Sequence, residues 1–301
     1  MFNHKNSFSP NENQVPTDWP YRENSKMISV DDFLWHVQIF KKNRQNRPLF
    51  LLIHGTGGAV HSWHEMVEVL HNEADLILVD LPGHGFTQES HNNDYSLSRI
   101  SSLLKRLLAI LNINIINLVI GHSAGAALAI ELSIKNNLQQ ITGLIGINPS
   151  LVPPPVSYNL LLNPWVSPLV ASTGFTSILS FVTQKTPLIE NLLTSTGSQL
   201  NSNQKKLYKK IFLQDKHLKG AIKFMASTDL FYLLSKSKHL KTNTTFIIGK
   251  EDPWVKVNPL KKIIAQNFPN SKIIENTGGH LMHETCPKKI STQILTVFND
   301  L

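Results

Sequence analysis

Gly121-His122-Ser123-Ala124-Gly125 is the stretch that decides the fold. It stands between an apolar run, 117–120, that reads as a strand and a run of small and apolar residues, 124–134, that reads as a helix. A G-x-S-x-G pattern alone carries little weight, but a serine on a sharp strand-to-helix turn carries much. Such a turn strains the serine backbone, so the residues packed on either side must be small. Gly121, Gly125, Ala124 and Ala126 meet that need. The turn also puts Ser123 at a helix N-terminus, where backbone N–H groups favour developing negative charge.

Outward from this turn, short β-rich runs alternate with helical patterns. Leu49-Phe50-Leu51-Leu52-Ile53 is a continuous apolar run, as in buried parallel strands. Helical spacing over 62–71 follows, then a strand over 76–79 and an amphipathic helix over 96–111 with Ser96 as N-cap. A strand is expected over 141–147. After residue 240 the alternation resumes with strand 244–248, helix 259–267, strand 272–275 and helix 288–298. Upstream, 26–30 and 34–40 suggest a leading antiparallel pair. The pattern predicts an α/β fold with a mostly parallel eight-stranded sheet covered on both faces.

Residues 151–241 interrupt the rhythm with helical patterns and no clear strand, and they are too many for a loop. They read as a helical cap inserted after the sixth strand, over the carboxyl ends where open parallel sheets bind ligands. The expected organisation is an N-terminal extension (1–25), a core (26–150 and 242–301) and the cap (151–241).

Composition narrows the class. Of 301 residues, 41% are apolar and 17% charged, as in a folded chain; at this length about 75% of the unfolded surface is buried. The single cysteine, Cys286, excludes an internal disulfide framework and a Cys-cluster zinc site. Residues 1–14 are polar and Asn-rich, without a signal-peptide apolar run, so a cytoplasmic location is expected. The net charge of +8 is concentrated in 201–241, which holds ten Lys and two Asp; the rest balances at 19 basic and 19 acidic residues. Lys205, Lys206, Lys209 and Lys210 recur at helical spacing. They read either as an exposed lysine-rich face or as an attraction for an acidic ligand, membrane or partner. Nucleic acid is not expected, since only five arginines and no recognised motif are present. Residues 136–184 hold no charge, but Pro149, Pro153, Pro154, Pro155, Pro164 and Pro168 break them, so no transmembrane segment is expected.

His54-Gly55-Thr56-Gly57-Gly58 directly follows the first strong strand. Its glycines let the backbone approach a substrate, and an N–H near Thr56 can pair with that of Ala124 as an oxyanion hole. No Gly-Lys-Ser/Thr follows, so a phosphate loop is excluded. His54 reads as structural. A serine nucleophile needs a base, and the base needs an orienting acid. Strand 244–248 runs into Gly249-Lys250-Glu251-Asp252-Pro253, and strand 272–275 into Thr277-Gly278-Gly279-His280. The order Ser123…Asp252…His280 is that of the nucleophile-elbow fold. An acid after the preceding strand is the alternative, but that loop reads Asn148-Pro149-Ser150; Asp252 is preferred, with Glu251 second. Among thirteen histidines, His61/His64 and His280/His283 have i, i+3 spacing, yet no carboxylate set or H-E-x-x-H accompanies them. No metal and no cofactor are expected. Asp80-Leu81-Pro82-Gly83-His84-Gly85 reads as a structural turn near the site, with His84 its candidate for ligand contact.

HGTGG at 54–58, DLPGHG at 80–85, GHSAG at 121–125 and the G-x-x-D…G-G-H ending resemble the α/β-hydrolase superfamily over roughly 26–300. A narrower resemblance rests on Asp18-Trp19-Pro20-Tyr21-Arg22-Glu23, Trp35-His36-Val37-Gln38, HGTGGAVHSW at 54–63, GHSAGAALAIEL at 121–132 and Ser195-Thr196-Gly197-Ser198. These look like the magnesium-chelatase accessory hydrolases of bacteriochlorophyll synthesis. The superfamily resemblance implies an α/β-hydrolase fold with nucleophile Ser123, acid Asp252 and base His280. Epoxide hydrolases and dehalogenases of that fold use a carboxylate nucleophile, so Ser123 argues against them. The narrower one implies a role alongside magnesium insertion into protoporphyrin IX and an association with magnesium chelatase. With no ATP-binding loop, it does not imply the chelatase itself. The expected ligand is small and apolar or tetrapyrrole-like. The alternatives are a non-catalytic porphyrin-binding or assembly protein, for which the apolar stretch 160–182 and the basic face are suited, and a general carboxylesterase or C–C bond hydrolase.

Overall fold

A strand that is apolar at every position needs cover on both faces, and Leu49–Ile53 (β3) has it. Leu51 and Ile53 join an apolar cluster on one face, and Phe50 and Leu52 join a second cluster on the other. The period of two along a strand divides them. The computed structural model describes residues 15–44, 46–89, 94–134, 140–152 and 188–301. Around β3 the described strands are β1 (Ser25–Val30), β2 (Phe33–Phe40), β4 (Asp75–Val79), β5 (Gln88–Glu89), β6 (Ile115–His122), β7 (Gln140–Ile147), β8 (Asn243–Gly249) and β9 (Lys272–Asn276).

Eight of them form the sheet path β1-β2-β4-β3-β6-β7-β8-β9, and β5 pairs with β2 beside it. β1 and β2 are the antiparallel lead, with Ser25 opposite Gln38 and Val30 opposite Phe33. β2 meets β4 antiparallel, and every pairing from β4 through β9 is parallel. The two-residue β5 is the strand that the sequence pattern does not contain.

Helices α1 (His64–Glu73) and α10 (Pro287–Asn299) cover one face; α2 (Leu97–Ile110), α3 (Ala124–Ile134) and α8 (Val257–Asn267) cover the other. Ser96 caps α2, its Oγ accepting the Arg99 N–H at 3.3 Å. A 3₁₀ turn, Val60–Trp63, precedes α1 where the spacing predicted a single helix from residue 62. Its start is fixed by a distant group, because Asp80 Oδ1 accepts the Val60 N–H at 2.7 Å.

Between β7 and β8 the described residues form α4 (Leu188–Ser195), α5 (Ser202–Phe212), α6 (Asp215–Ala226) and α7 (Leu230–Ser237), with no strand among them. Residues 153–187 of the expected cap, including five of the six prolines and the stretch 160–182, lie outside the described residues, as do residues 1–14. Asn201 and Gln204 make a reciprocal capping box at the start of α5. No helix among the described residues is long and apolar enough to cross a membrane.

The described residues before β1 pack on the core. Trp19 is 2% exposed and meets His61, His64 and Phe86 edge-on, with ring centroids 5.6, 6.2 and 4.8 Å away. Gln38 holds the same segment, donating from Nε2 to the Pro20 and Tyr21 carbonyls while its Oε1 accepts from His64 Nε2–H at 2.8 Å.

Candidate active site

Ser123 sits at φ 51°, a backbone region that is costly for a residue with a side chain. Its neighbours leave no room for alternatives. A Cβ on Gly121 would lie 2.5 Å from the Ala126 Cα, and one on Gly125 would lie 2.3 Å from the Ile53 carbonyl oxygen. The glycines of the motif therefore let the first turn of α3 lie against β6 and β3, and the strain at Ser123 is held by packing on both sides.

The three residues predicted from chain order meet. Ser123 Oγ and His280 Nε2 are 2.9 Å apart, and His280 Nδ1 and Asp252 Oδ2 are 2.7 Å apart. Asp252 also accepts the backbone N–H groups of Trp254 (2.8 Å) and Val255 (2.9 Å) on Oδ1. An ionised carboxylate so held is an acceptor only, so His280 donates from Nδ1 and presents the Nε2 lone pair to the serine. All three side chains are buried. Glu251 is exposed and outside this chain of hydrogen bonds.

Asn148 stands where an acid was sought, and it serves both loops. Its Oδ1 accepts the Gly249 N–H at 2.6 Å, and its Nδ2 donates to the Gly279 and His280 carbonyls at 3.0 Å each. Its φ of 42° is one that Asn tolerates better than most residues. His122 supports the same carbonyl, its Nε2–H donating to His280 O at 3.0 Å. Burial holds the His122 pKa well below the usual histidine value, so the ring is neutral and lies 4.2 Å from the His283 ring, tilted by 39°.

Residues 195–198 emerged from the sequence by resemblance alone, and the structure gives them a physical task. Thr196 O accepts the His280 N–H at 2.8 Å, and Ser198 Oγ accepts the Leu281 N–H at 2.9 Å. Trp254 donates from Nε1 to Ser195 O at 3.0 Å, and its ring stacks on His280 at 5.3 Å and 27°. The segment that closes α4 is thus fastened to the loops that carry Asp252 and His280.

A cavity of about 40 Å³ lies beside His280, lined by Thr56, Leu192, Leu193, Tyr208, Phe212 and Trp254 among others. Loop 55–58 presses on the serine, since a Cβ on Gly55 would lie 2.9 Å from the Ser123 Cβ. Thr56 Oγ1 is buried without a hydrogen-bond partner. Ala124 opens α3, and N–H groups of a first helical turn have no partner within the helix.

His54, His84 and His61 are structural in their contacts. His54 donates from Nδ1 to Gly55 O at 2.8 Å and accepts the Leu81 N–H on Nε2 at 3.0 Å, tying the two loops together. His84, the expected candidate for ligand contact, is fully buried against His54, His217 and Phe224 and is not in the cavity wall. His61 lies between Trp19 and Tyr208, the latter ring 4.5 Å away. Among the described residues no three His, Cys, Asp or Glu side chains are placed to hold a metal ion.

Tyr208 links α5 to α9 (Met282–Thr285), donating to Glu284 Oε1 at 2.6 Å. Burial pushes the Glu284 carboxyl up to about 8, partly opposed by that hydrogen bond. Burial also takes His283 down to about 3, so its 3.8 Å approach to Glu284 is one between neutral groups at pH 7 rather than an ion pair.

A serine on a strained turn between a parallel strand and a helix, hydrogen-bonded in line to a histidine and an aspartate on loops after later strands, defines a class. Residues 48–287 match the alpha/beta hydrolase fold family, and the chain belongs to it. Within that class it is similar to the magnesium-chelatase 30 kDa subunit of Rhodobacter capsulatus, at 28% identity over 93% of this chain and 96% of that protein. It is also similar to epoxide hydrolase 4 of Mus musculus, at 24% identity over 81% of this chain and 70% of that one. The enol-lactonase of Burkholderia xenovorans LB400 shares the fold, with a TM-score of 0.67 at 15% identity, covering 92% of this chain and 100% of that one.

Proposed function

We propose that this chain is a serine hydrolase that cleaves an ester-like bond. Ser123 attacks the carbonyl carbon as its proton passes to His280 Nε2, and Asp252 stabilises the imidazolium. The oxyanion forms toward the N–H groups of Thr56 and Ala124. As the tetrahedral species collapses, the C–O bond to the leaving group breaks and His280 returns the proton to the leaving oxygen. Water, deprotonated by the same histidine, then releases the acid and restores Ser123. The observation that supports this most is the unbroken hydrogen-bonded run from Ser123 Oγ through His280 to Asp252.

The test is turnover of short p-nitrophenyl esters by the purified chain. Ser123→Ala and His280→Ala should each lose activity by several orders of magnitude, and the double variant should be little worse, because such groups act as a unit. Near-wild-type turnover by His280→Ala would reject the assignment.

The biological setting that fits is an accessory role beside magnesium chelatase in bacteriochlorophyll synthesis. Its support is the similarity, over nearly the whole chain, to a protein named as a magnesium-chelatase subunit. The same similarity favours a second reading, in which the chain holds a tetrapyrrole or an assembly partner without catalysis. The hydrogen-bonded run of Ser123, His280 and Asp252 favours the first, since a holder has no need of it. A deletion strain scored for accumulated tetrapyrroles separates them. Rescue by wild type but not by Ser123→Ala supports hydrolysis, and rescue by both supports the holder.

A further inference from the structure

The inserted helix α6 buries one face, and that face meets two loops of the core. His217, Gly220, Ala221 and Phe224 are its buried residues, and their i, i+3, i+4, i+7 spacing sets them on a single stripe. Gly220 brings the helix backbone against the turn at 82–85, since a Cβ on Gly83 would lie 2.5 Å from the Gly220 Cα. Phe224 meets the His84 ring edge-on at 5.9 Å. His217, one turn before Gly220, spans both loops. Its Nδ1 accepts the Gly85 N–H at 2.9 Å, and its Nε2 donates to the Gly57 carbonyl at 3.2 Å. A backbone N–H can only donate and a carbonyl can only accept, so Nδ1 carries the lone pair and Nε2 the proton. Burial takes the His217 pKa to about 4, and the ring is neutral at pH 7, as this pairing requires.

Gly57 stands in the turn that carries Thr56. The Gly58 N–H donates to Gly55 O at 3.0 Å and closes a four-residue turn. Its third residue, Gly57, has φ 75°, as a type II turn requires. The near end is held within the core, where His54 Nδ1–H donates to Gly55 O at 2.8 Å. The far end is held by the inserted helices. His217 binds Gly57 O, and a Cβ on Gly57 would lie 3.2 Å from Cζ of Phe212, the last residue of α5. All four residues of the turn line the cavity beside His280.

We propose that His217 is a positioning residue of the Ser123 site: by holding the Gly57 carbonyl from α6, it sets the turn that presents the Thr56 N–H to the oxyanion. This rests on the hydrolase reading, so the experiment separates the two. In place of the imidazole, an asparagine amide reaches about where Nδ1 stands, and a glutamine amide about where Nε2 stands. His217→Asn can keep the Gly85 N–H but must release Gly57 O; His217→Gln can keep Gly57 O but must release Gly85. Each breaks one buried hydrogen bond, so a merely structural histidine would make the two variants equally poor. Turnover is read with short p-nitrophenyl esters. The oxyanion contact is read with a short alkyl trifluoromethyl ketone, whose carbonyl carbon bonds Ser123 Oγ as the serine proton passes to His280. The matching methyl ketone is the control without a stable adduct. His217→Asn should lower kcat and trifluoromethyl ketone affinity each by about 30-fold or more, with KM and methyl ketone affinity within about twofold. His217→Gln should lose less than about threefold in each. Equal losses in the two variants, or a His217→Asn variant as active as wild type, would overturn the proposal alone. A wild-type chain that neither turns over an ester nor prefers the trifluoromethyl ketone would overturn the hydrolase reading and this one with it. The ring gives a check that needs no substitution. ¹⁵N NMR of the wild-type chain should show the Nε2–H tautomer of His217 at pH 7, and the Nδ1–H tautomer would overturn the proposal even if neither variant folds.

Discussion

Asn148 shows how one side chain can hold two loops. Its amide engages Gly249 N, Gly279 O and His280 O, the backbone that leads to Asp252 and carries His280. Asn148→Ala leaves those buried groups without partners, so unfolding should cost about 1–3 kcal/mol less. Turnover should fall more than KM rises, because the loops shift while the cavity wall stays; urea denaturation and ester kinetics check both. The acid is tested at the same scale. Asp252→Asn should preserve the fold yet cut turnover by about 10⁴, since the amide disturbs the imidazole tautomer and cannot stabilise the imidazolium, while Glu251→Gln, at an exposed position, should be nearly silent. The reverse ranking would move the acid by one residue. That Ser123, Asp252 and His280 meet was legible in the sequence because each lies on the turn or loop after a recognisable strand. Asn148 was not, since its task depends on partners about a hundred residues or more away.

Apolar runs made most elements readable, because a strand covered on both faces has no polar alternation to hide it. β5 escaped for the opposite reason, two residues being too few for any period. The junction between α5 and α9 was equally invisible, since nothing local marks Tyr208 and Glu284 as partners. That junction has a pH dependence with a definite sign. Burial raises the folded pKa of Glu284 from the ordinary 4.5 to about 8. Between those values the folded chain holds a proton that the unfolded chain has released, so this group's contribution to stability falls as pH rises through the window. The contribution is complete below 4.5 and lost as pH passes about 8. Buried histidines such as His122, His217 and His283, whose pKa values are lowered, push stability the other way below about 6.5. The readout is therefore the denaturant midpoint of wild type minus that of Glu284→Gln, which should fall as pH rises through the window. A difference that does not change with pH would place the titrating group elsewhere.

Across the whole molecule, the motifs that resembled a particular family without any evident chemistry converge. Trp19 packs on His61 and His64, His64 bonds Gln38, and His61 meets Tyr208 of the inserted helices. Trp19→Ala should therefore destabilise the chain by about 3–5 kcal/mol. Asp18→Asn, which breaks the exposed pair with Lys210, should leave the thermal midpoint unchanged within error. If both variants were silent, the segment would not brace the inserted helices. The lysine-rich face reads in space as it does in sequence: Lys205, Lys206 and Lys209 are exposed, and Lys209 lies 3.8 Å from Glu190. The central claim, a competent nucleophile at Ser123, is tested most directly by a fluorophosphonate probe with mass-spectrometric location of the adduct. The account predicts one adduct, on Ser123, absent in Ser123→Ala and slowed at least a hundredfold, to order of magnitude, in His280→Ala. No adduct on the folded wild-type chain, or an adduct that persists in Ser123→Ala, would contradict it.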